Sequence, residues 1–240
     1  MEVINYLLGY RDLKIVQNTD MFSFSLDSVL LANFVSLNSG ISNVLDIGCG
    51  NAPIPLILSC RTDAFITGVE IQKDVFDMAK KGVSINNLSD RINIVNADIN
   101  DFSRDIESDQ FDVITCNPPF FKVSDGSKFN DSSYKVIARH EVCLNLEQLF
   151  SISRKLLKNG GVISIVHRPD RLVDIITTMR SNNIEPKRIR FVYPKVGREC
   201  NMILVEGAKN GKPGLKILSP LVTHNEDGSY SSEVLSFFEE

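Results

Sequence analysis

Asn117-Pro118-Pro119-Phe120 is the stretch of this chain whose residue types point most directly to chemistry. It follows Phe111-Asp112-Val113-Ile114-Thr115-Cys116, an apolar β-type run with one polar residue near its start. A buried strand is expected there. The four residues then sit at a strand's carboxyl end, where open α/β sheets place their ligands. Consecutive prolines fix φ near about −65° and remove two backbone N–H donors. What remains is a stiff loop offering acceptors: the Asn117 side-chain oxygen and the Pro118 carbonyl. The ring of Phe120 follows. Acceptors beside a stacking face suit a flat ligand that carries an NH2 group.

Other acidic and glycine positions fall at similar places. Asp46-Ile47-Gly48-Cys49-Gly50 is a glycine turn after an apolar run, which brings backbone close to a ligand. In isolation it is equally a tight strand–helix connection. Glu70, followed by Ile71, ends a second expected strand, where a carboxylate can accept bonds from both hydroxyls of a ribose. Asp98 ends a third and could accept from an adenine amine. With Asn117, all of these face one crevice.

The elements that must hold them alternate along the chain. Strands are expected at Val44–Ile47, Phe65–Glu70, Ile92–Ala97, Phe111–Cys116 and Val162–Val166. Helices are expected at Pro53–Cys60, with proline tolerated in the first turn, at Asp74–Asn86, at Leu146–Leu157 ended by Asn159-Gly160-Gly161, and at Asp170–Arg180. Arg188–Tyr193 and Asn201–Glu206 read as a hairpin pair around Pro194 and Gly197. Residues 122–135 are polar and aperiodic and read as a mobile loop after the proline pair. Strands alternating with helices imply an α/β fold with a mostly parallel, doubly wound sheet. One domain is expected over 1–240: an N-terminal extension (1–40), a core (41–208) and a C-terminal tail (209–240) packed on it. The extension should hold a helix from Asp27 to Phe34, with Asp27 as its N-cap.

Composition narrows the class. The chain has 240 residues, 43% hydrophobic and 23% charged, as globular proteins do. No apolar run is long enough to span a bilayer. Met1-Glu2-Val3-Ile4-Asn5 lacks the basic start of a signal peptide, so a cytoplasmic protein is expected. Five scattered cysteines without a C-x-x-C pair indicate neither a metal site nor a disulfide framework. Asn87-Leu88-Ser89 and Asn130-Asp131-Ser132 match the glycosylation pattern by chance. Net charge is −4, yet residues 168–216 hold 11 Lys and Arg against 5 Asp and Glu. Such asymmetry marks a candidate polyanion-facing surface.

Together, Leu45-Asp46-Ile47-Gly48-Cys49-Gly50, Gly68-Val69-Glu70, Asn96-Ala97-Asp98 and Asn117-Pro118-Pro119-Phe120 resemble the class I S-adenosylmethionine-dependent methyltransferases, in the amino-methylating branch with an Asn-Pro-Pro-aromatic motif. The match spans roughly 40–170. The ends are similar to a narrower family, the bacterial enzymes that methylate the exocyclic amine of the adenosine beside the anticodon of valine tRNA. That likeness rests on Gln17 with Phe22-Ser23-Phe24-Ser25-Leu26-Asp27, on Ala138-Arg139-His140-Glu141, and on the hairpin from Tyr193-Pro194 to Val205. One departure is Ala52, where such enzymes often carry a third glycine; a methyl group there should narrow the turn without blocking the cofactor.

The resemblance implies a Rossmann-like methyltransferase fold, with a mostly parallel seven-stranded sheet and an antiparallel C-terminal hairpin. It implies S-adenosylmethionine held by Asp46, Gly48, Cys49, Gly50, Glu70, Ile71, Asp98 and Asn117. A dinucleotide fits less well, because Pro53 and Pro55 remove N–H donors that a pyrophosphate would use. Glu70 and Asp98 are not read as a glycosidase pair, since no sugar-binding aromatics surround them. Asn117 and Pro118 would accept the two hydrogens of the target amine, and Phe120 would stack on its base.

Pro119, Phe121, Arg139, Arg188, Arg190, Lys195 and Arg198 are the substrate-binding candidates. Phe121 is as readily core, and Arg139, His140 and Glu141 as readily a local ion cluster. His167 and His224 read as structural or exposed. Arg188 and Arg190 alternate with apolar residues and should share a solvent face that meets RNA backbone. The expected partner is RNA, most simply a tRNA, with no metal and no membrane. Ribosomal RNA guanine methylation and protein glutamine methylation remain open. Methylation of DNA, or a scaffold without turnover, fits less well.

Overall fold

The computed structural model describes residues 1–7, 10–18, 26–118 and 144–238. The first two strands, β1 (Glu2–Leu7) and β2 (Tyr10–Asn18), form an antiparallel hairpin. Helix α1 (Leu26–Phe34) follows. Then β3 (Asn43–Ile47), α2 (Pro53–Arg61), β4 (Phe65–Glu70), α3 (Lys73–Ile85), β5 (Ile92–Asn96), α4 (Ile99–Asp105) and β6 (Phe111–Cys116) alternate. Beyond residue 143 come α5 (Leu146–Leu156), β7 (Leu157–His167), α6 (Leu172–Ser181), β8 (Ile184–Tyr193) and β9 (Met202–Lys209). The short β10 (Lys216–Ile217), β11 (Leu221–Val222) and α7 (Ser232–Ser236) complete the order.

The long strands lie in the order β5-β4-β3-β6-β7-β9-β8, and β10 and β11 pair in parallel with β8. Strand β9 is antiparallel to both neighbours, so β8 runs the same way as β7. The sheet is therefore mostly parallel with the expected antiparallel hairpin, and two two-residue strands extend it beyond seven. The carboxyl ends of its parallel strands form one rim. In register, Ile47 pairs Val69 and Cys116, Glu70 pairs Asn96, and Cys116 pairs Ile165.

Both faces of the sheet are apolar, as buried parallel strands require. Val44, Ile66, Val113 and Val166 pack with residues of α1, α2 and α3. Leu45, Ile47, Val69, Ile114 and Ile165 pack with residues of α4, α5 and α6. Local signals set the helix ends. Asn145 and Gln148 form a reciprocal capping box at the start of α5. Asp98 caps α4 by accepting from Asn100 N at 2.7 Å.

Some expectations change. Helix α1 begins at Leu26, so Asp27 lies in its first turn and is not its N-cap. The β1–β2 hairpin and α4 were not read from the sequence. Adjacent Ile15 and Val16 of β2 are both buried, which breaks the two-residue alternation of a half-buried strand. Helix α4 is one polar stretch, INDFSRD, too short to show a period.

Arg188 and Arg190 do share a face of β8, but that face is covered. Arg188 is 26% exposed and pairs with Glu206 at 2.8 Å; Arg190 is 16% exposed and pairs with Glu233 at 2.5 Å. The expected open basic face on β8 is thus closed by α1 on one side and by the C-terminal segment on the other. Among the described residues, no helix is long and apolar enough to cross a membrane.

Candidate active site

The turn after β3 is built from left-handed backbone. Gly48, Gly50 and Ala52 have φ of 67°, 57° and 69°. Glycine takes such values freely, whereas alanine carries strain of about 1 kcal/mol there. Gly48 N and Cys49 N both donate to Val69 O, at 2.9 and 3.0 Å, which ties the turn to the end of β4. Cys49 then lies over Gly68: a Cβ at 68 would come within 2.8 Å of Cys49 Sγ. A Cβ added at Gly48 or Gly50, by contrast, meets nothing within 4 Å. The backbone is bare on that side and open to a ligand.

Acidic groups line this opening. Glu70 accepts from Gly50 N at 3.0 Å and from Gln72 N at 2.8 Å, so both of its oxygens are fixed by the backbone. Asp46 accepts from the Thr115 hydroxyl at 2.7 Å, while its other oxygen, Oδ2, is buried without a partner among the described residues. Burial raises the Asp46 carboxyl to about 7, with the Thr115 bond opposing and Glu70 adding to the rise. Burial also raises Glu70, against its backbone bonds. Burial and the nearby Asp46 likewise push the Cys49 and Cys116 thiols up, so neither is a thiolate nucleophile at neutral pH.

This donor set fits one kind of cofactor. It has carboxyl oxygens, bare backbone and, at α2, Pro53 and Pro55 in the first turn. A pyrophosphate would meet carboxylates and too few N–H donors. A cationic cofactor with a ribose diol would meet lone pairs, as S-adenosylmethionine does through its sulfonium and ammonium groups. Ile71, 41% exposed beside Glu70, offers an apolar surface for a base. Asp98 uses Oδ1 to cap α4 and to accept from the Asn100 amide at 2.8 Å, leaving Oδ2 without a bond among the described residues.

Asn117 stands at the end of β6, half-buried, and Pro118 after it is buried. Its amide nitrogen donates to Ser28 Oγ of α1 at 3.3 Å. The amide carbonyl has no partner among the described residues and is left to accept. Nothing in the sequence marked Ser28, a small polar residue inside an apolar helix pattern. Pro119, Phe120, Phe121 and Arg139 lie outside the described residues, as does the 122–135 loop.

The basic candidates divide. Arg188 binds Glu206 and the Phe34 carbonyl, and its guanidinium lies 4.6 Å from the Phe34 ring centre. Arg190 binds Ser219 O at 2.9 Å as well as Glu233. Lys195 donates to Glu226 O at 2.8 Å. Arg198 is exposed, in the loop that leaves β8 on the same rim as Asn117. Exposed Arg168 follows β7 on that rim and was not singled out in the sequence. His167 before it is buried; burial, with Arg171 nearby, lowers its imidazole to about 4, so it is neutral at pH 7.

The family described as methyltransferase small domain matches residues 12–180, well over half of the chain. The chain belongs to this family. The methyltransferase is 30% identical over 243 residues to a Porphyromonas gingivalis protein named tRNA1(Val) (adenine(37)-N6)-methyltransferase, covering 92% of this chain and 94% of that one. A Shewanella woodyi protein of the same name is 27% identical over 221 residues, covering 88% of each. A crystal structure described as a predicted O-methyltransferase from Agrobacterium tumefaciens superposes with a TM-score of 0.71 at 19% identity, over 89% of this methyltransferase and 95% of that chain. That likeness bears on the fold.

Proposed function

We propose that this methyltransferase transfers the methyl group of S-adenosylmethionine to the exocyclic amine of an adenine in a tRNA anticodon loop. The observation that carries the reading is Asn117. Its amide stands at the end of β6, one strand from the bare glycine turn, with its nitrogen engaged and its carbonyl open. The names of the relatives above supply the choice of adenine and tRNA.

Bound S-adenosylmethionine would supply an electrophilic methyl group. The residues of the chain do the rest. An aromatic amine is a poor nucleophile because its lone pair is delocalised into the ring. The Asn117 carbonyl and the Pro118 carbonyl would accept its two hydrogens and favour a pyramidal nitrogen. Alignment of this kind can supply effective molarities of about 10⁵–10⁸ M in good cases. No strong base is required, because the amine proton becomes acidic once the nitrogen is alkylated. His167, neutral and buried, is not assigned that task. Phe120 would stack on the base, contributing about 1–3 kcal/mol. A base in an anticodon loop is already accessible for such capture.

On the same rim, Arg198, Lys195 and Arg168 would meet phosphates. Arg188 and Arg190, held by Glu206 and Glu233, are not assigned to the RNA. The methyltransferase would act in the cytoplasm on its tRNA. The test is incubation with methyl-labelled cofactor and bulk unmodified tRNA, followed by nucleoside mass spectrometry. Label in N6-methyladenosine is the expected result. Label only in guanosine, or only in protein, overturns it in favour of another amine.

A further inference from the structure

We infer that Ser28 is a positioning residue for the Asn117 amide: its hydroxyl takes the amide NH2 so that the carbonyl faces the target amine. The inference deepens the proposed amine methylation and rests on it for its catalytic consequence. A side-chain amide has nearly the same shape in two orientations related by a half-turn. Only one is productive here. The target amine brings two N–H donors, so an Asn117 turned with NH2 towards it would set donor against donor. With the carbonyl towards the target, the amide nitrogen points back into the fold and needs an acceptor there. Ser28 Oγ, 3.3 Å away on a residue only 5% exposed, is that acceptor among the described residues. A hydroxyl can also donate, so the two donors of the target select the orientation, and Ser28 Oγ then satisfies the half-buried amide NH2 that this orientation turns inward.

Helix α1 is itself fixed at its far end, which gives the contact a rigid base. Its C-terminal carbonyl, Phe34 O, accepts from Arg188, and Ser36 just beyond binds the Glu206 carboxylate through both N and Oγ, at 2.8 and 2.7 Å. The helix that carries Ser28 is thereby joined to β8 and β9, while Asn117 belongs to β6. The amide is oriented by an element that is not its own strand.

The test compares wild type, Ser28→Ala and Ser28→Thr. In ¹⁵N-labelled protein without substrate, the Asn117 side-chain amide should show distinct, exchange-protected resonances. They should lose protection in Ser28→Ala and keep it in Ser28→Thr, which retains a hydroxyl. In single-turnover methyl transfer, Ser28→Ala should fall about tenfold, the size of one lost hydrogen bond. The KM for RNA and the calorimetric affinity for S-adenosylmethionine should stay near wild type, and Ser28→Thr should restore most of the rate. Unchanged amide resonances in Ser28→Ala overturn the inference, as does a folded Ser28→Ala protein with the wild-type rate. A rate that falls only together with cofactor affinity also overturns it, because that is the signature of a structural role. Wild-type protein that failed to methylate tRNA would count against the proposed substrate alone, since the amide resonances are read without RNA.

Discussion

Asn117 and Asp46 carry opposite demands at the rim. Asn117 must offer an oxygen to an uncharged amine. Asp46 must hold a carboxyl in a place where water cannot reach its Oδ2. Asn117→Ala removes the acceptor without touching the glycine turn, so turnover should drop by at least about 100-fold, the low end for loss of one preorganised hydrogen-bonding group. Calorimetric affinity for S-adenosylmethionine should stay within a few-fold, and full turnover in that variant would sink the acceptor role. Asp46 yields a pH prediction. Its carboxyl is raised from 3.8 to about 7, so the folded state holds this proton more tightly than the unfolded chain. The associated stability is fully present below about pH 4 and is lost as pH rises through about 7. The cofactor-free protein should lose melting temperature across that window, with Glu70, also raised, acting in the same direction. Asp46→Asn, neutral throughout and still able to accept from Thr115, should flatten the loss. Parallel melting profiles for the two proteins would refute this assignment.

At the scale of elements, the site is held by contacts between segments distant in sequence. Glu206 of β9, 2% exposed, accepts from Ser36, Ser164 and Arg188 together. These bonds join the end of α1 to β7, β8 and β9. A buried carboxylate with this many donors is stable only while its cation is present. Arg188→Ala would leave Glu206 uncompensated and Phe34 O without its donor. Urea unfolding should register a loss of about 3 kcal/mol, the low end of the range for a broken buried pair, because Arg188 is partly hydrated. A loss below about 0.5 kcal/mol would mean that the pair behaves as a surface bridge. The sequence showed Arg188 in a basic run. It could not show that Glu206, eighteen residues on, lies directly across the ladder from it.

For the molecule as a whole, charge is arranged differently from its order along the chain. Five of the 11 cations of 168–216 pair with acids: Arg171 with Asp174, Arg180 with Glu185, Arg188 with Glu206, Arg190 with Glu233 and Lys209 with Asp109. Of the remaining six, Arg168, Lys195 and Arg198 follow strand ends on the rim with Asn117, while Lys187, Lys212 and Lys216 lie towards the other end of β8. Arg198→Ala should therefore weaken tRNA binding and lower the slope of log affinity against log salt by about one, the share of one phosphate contact. Arg188→Ala, for all its cost in stability, should leave that slope unchanged. The reverse pattern in filter-binding titrations would return Arg188 to the RNA surface. The parallel core, the glycine turn, Glu70, Asp98 and Asn117 were legible in the sequence because each depends on local grammar: an apolar run, a turn residue, an acid or amide at the strand end. The partner of Asn117, the burial of Asp46 Oδ2 and the capture of Arg188 and Arg190 were not, because each is a contact between segments that only the packed sheet brings together. The sequence by itself determined which groups stand at the strand ends. The tertiary structure decided which of those groups already have partners, because burial and pairing depend on neighbours far away in the chain.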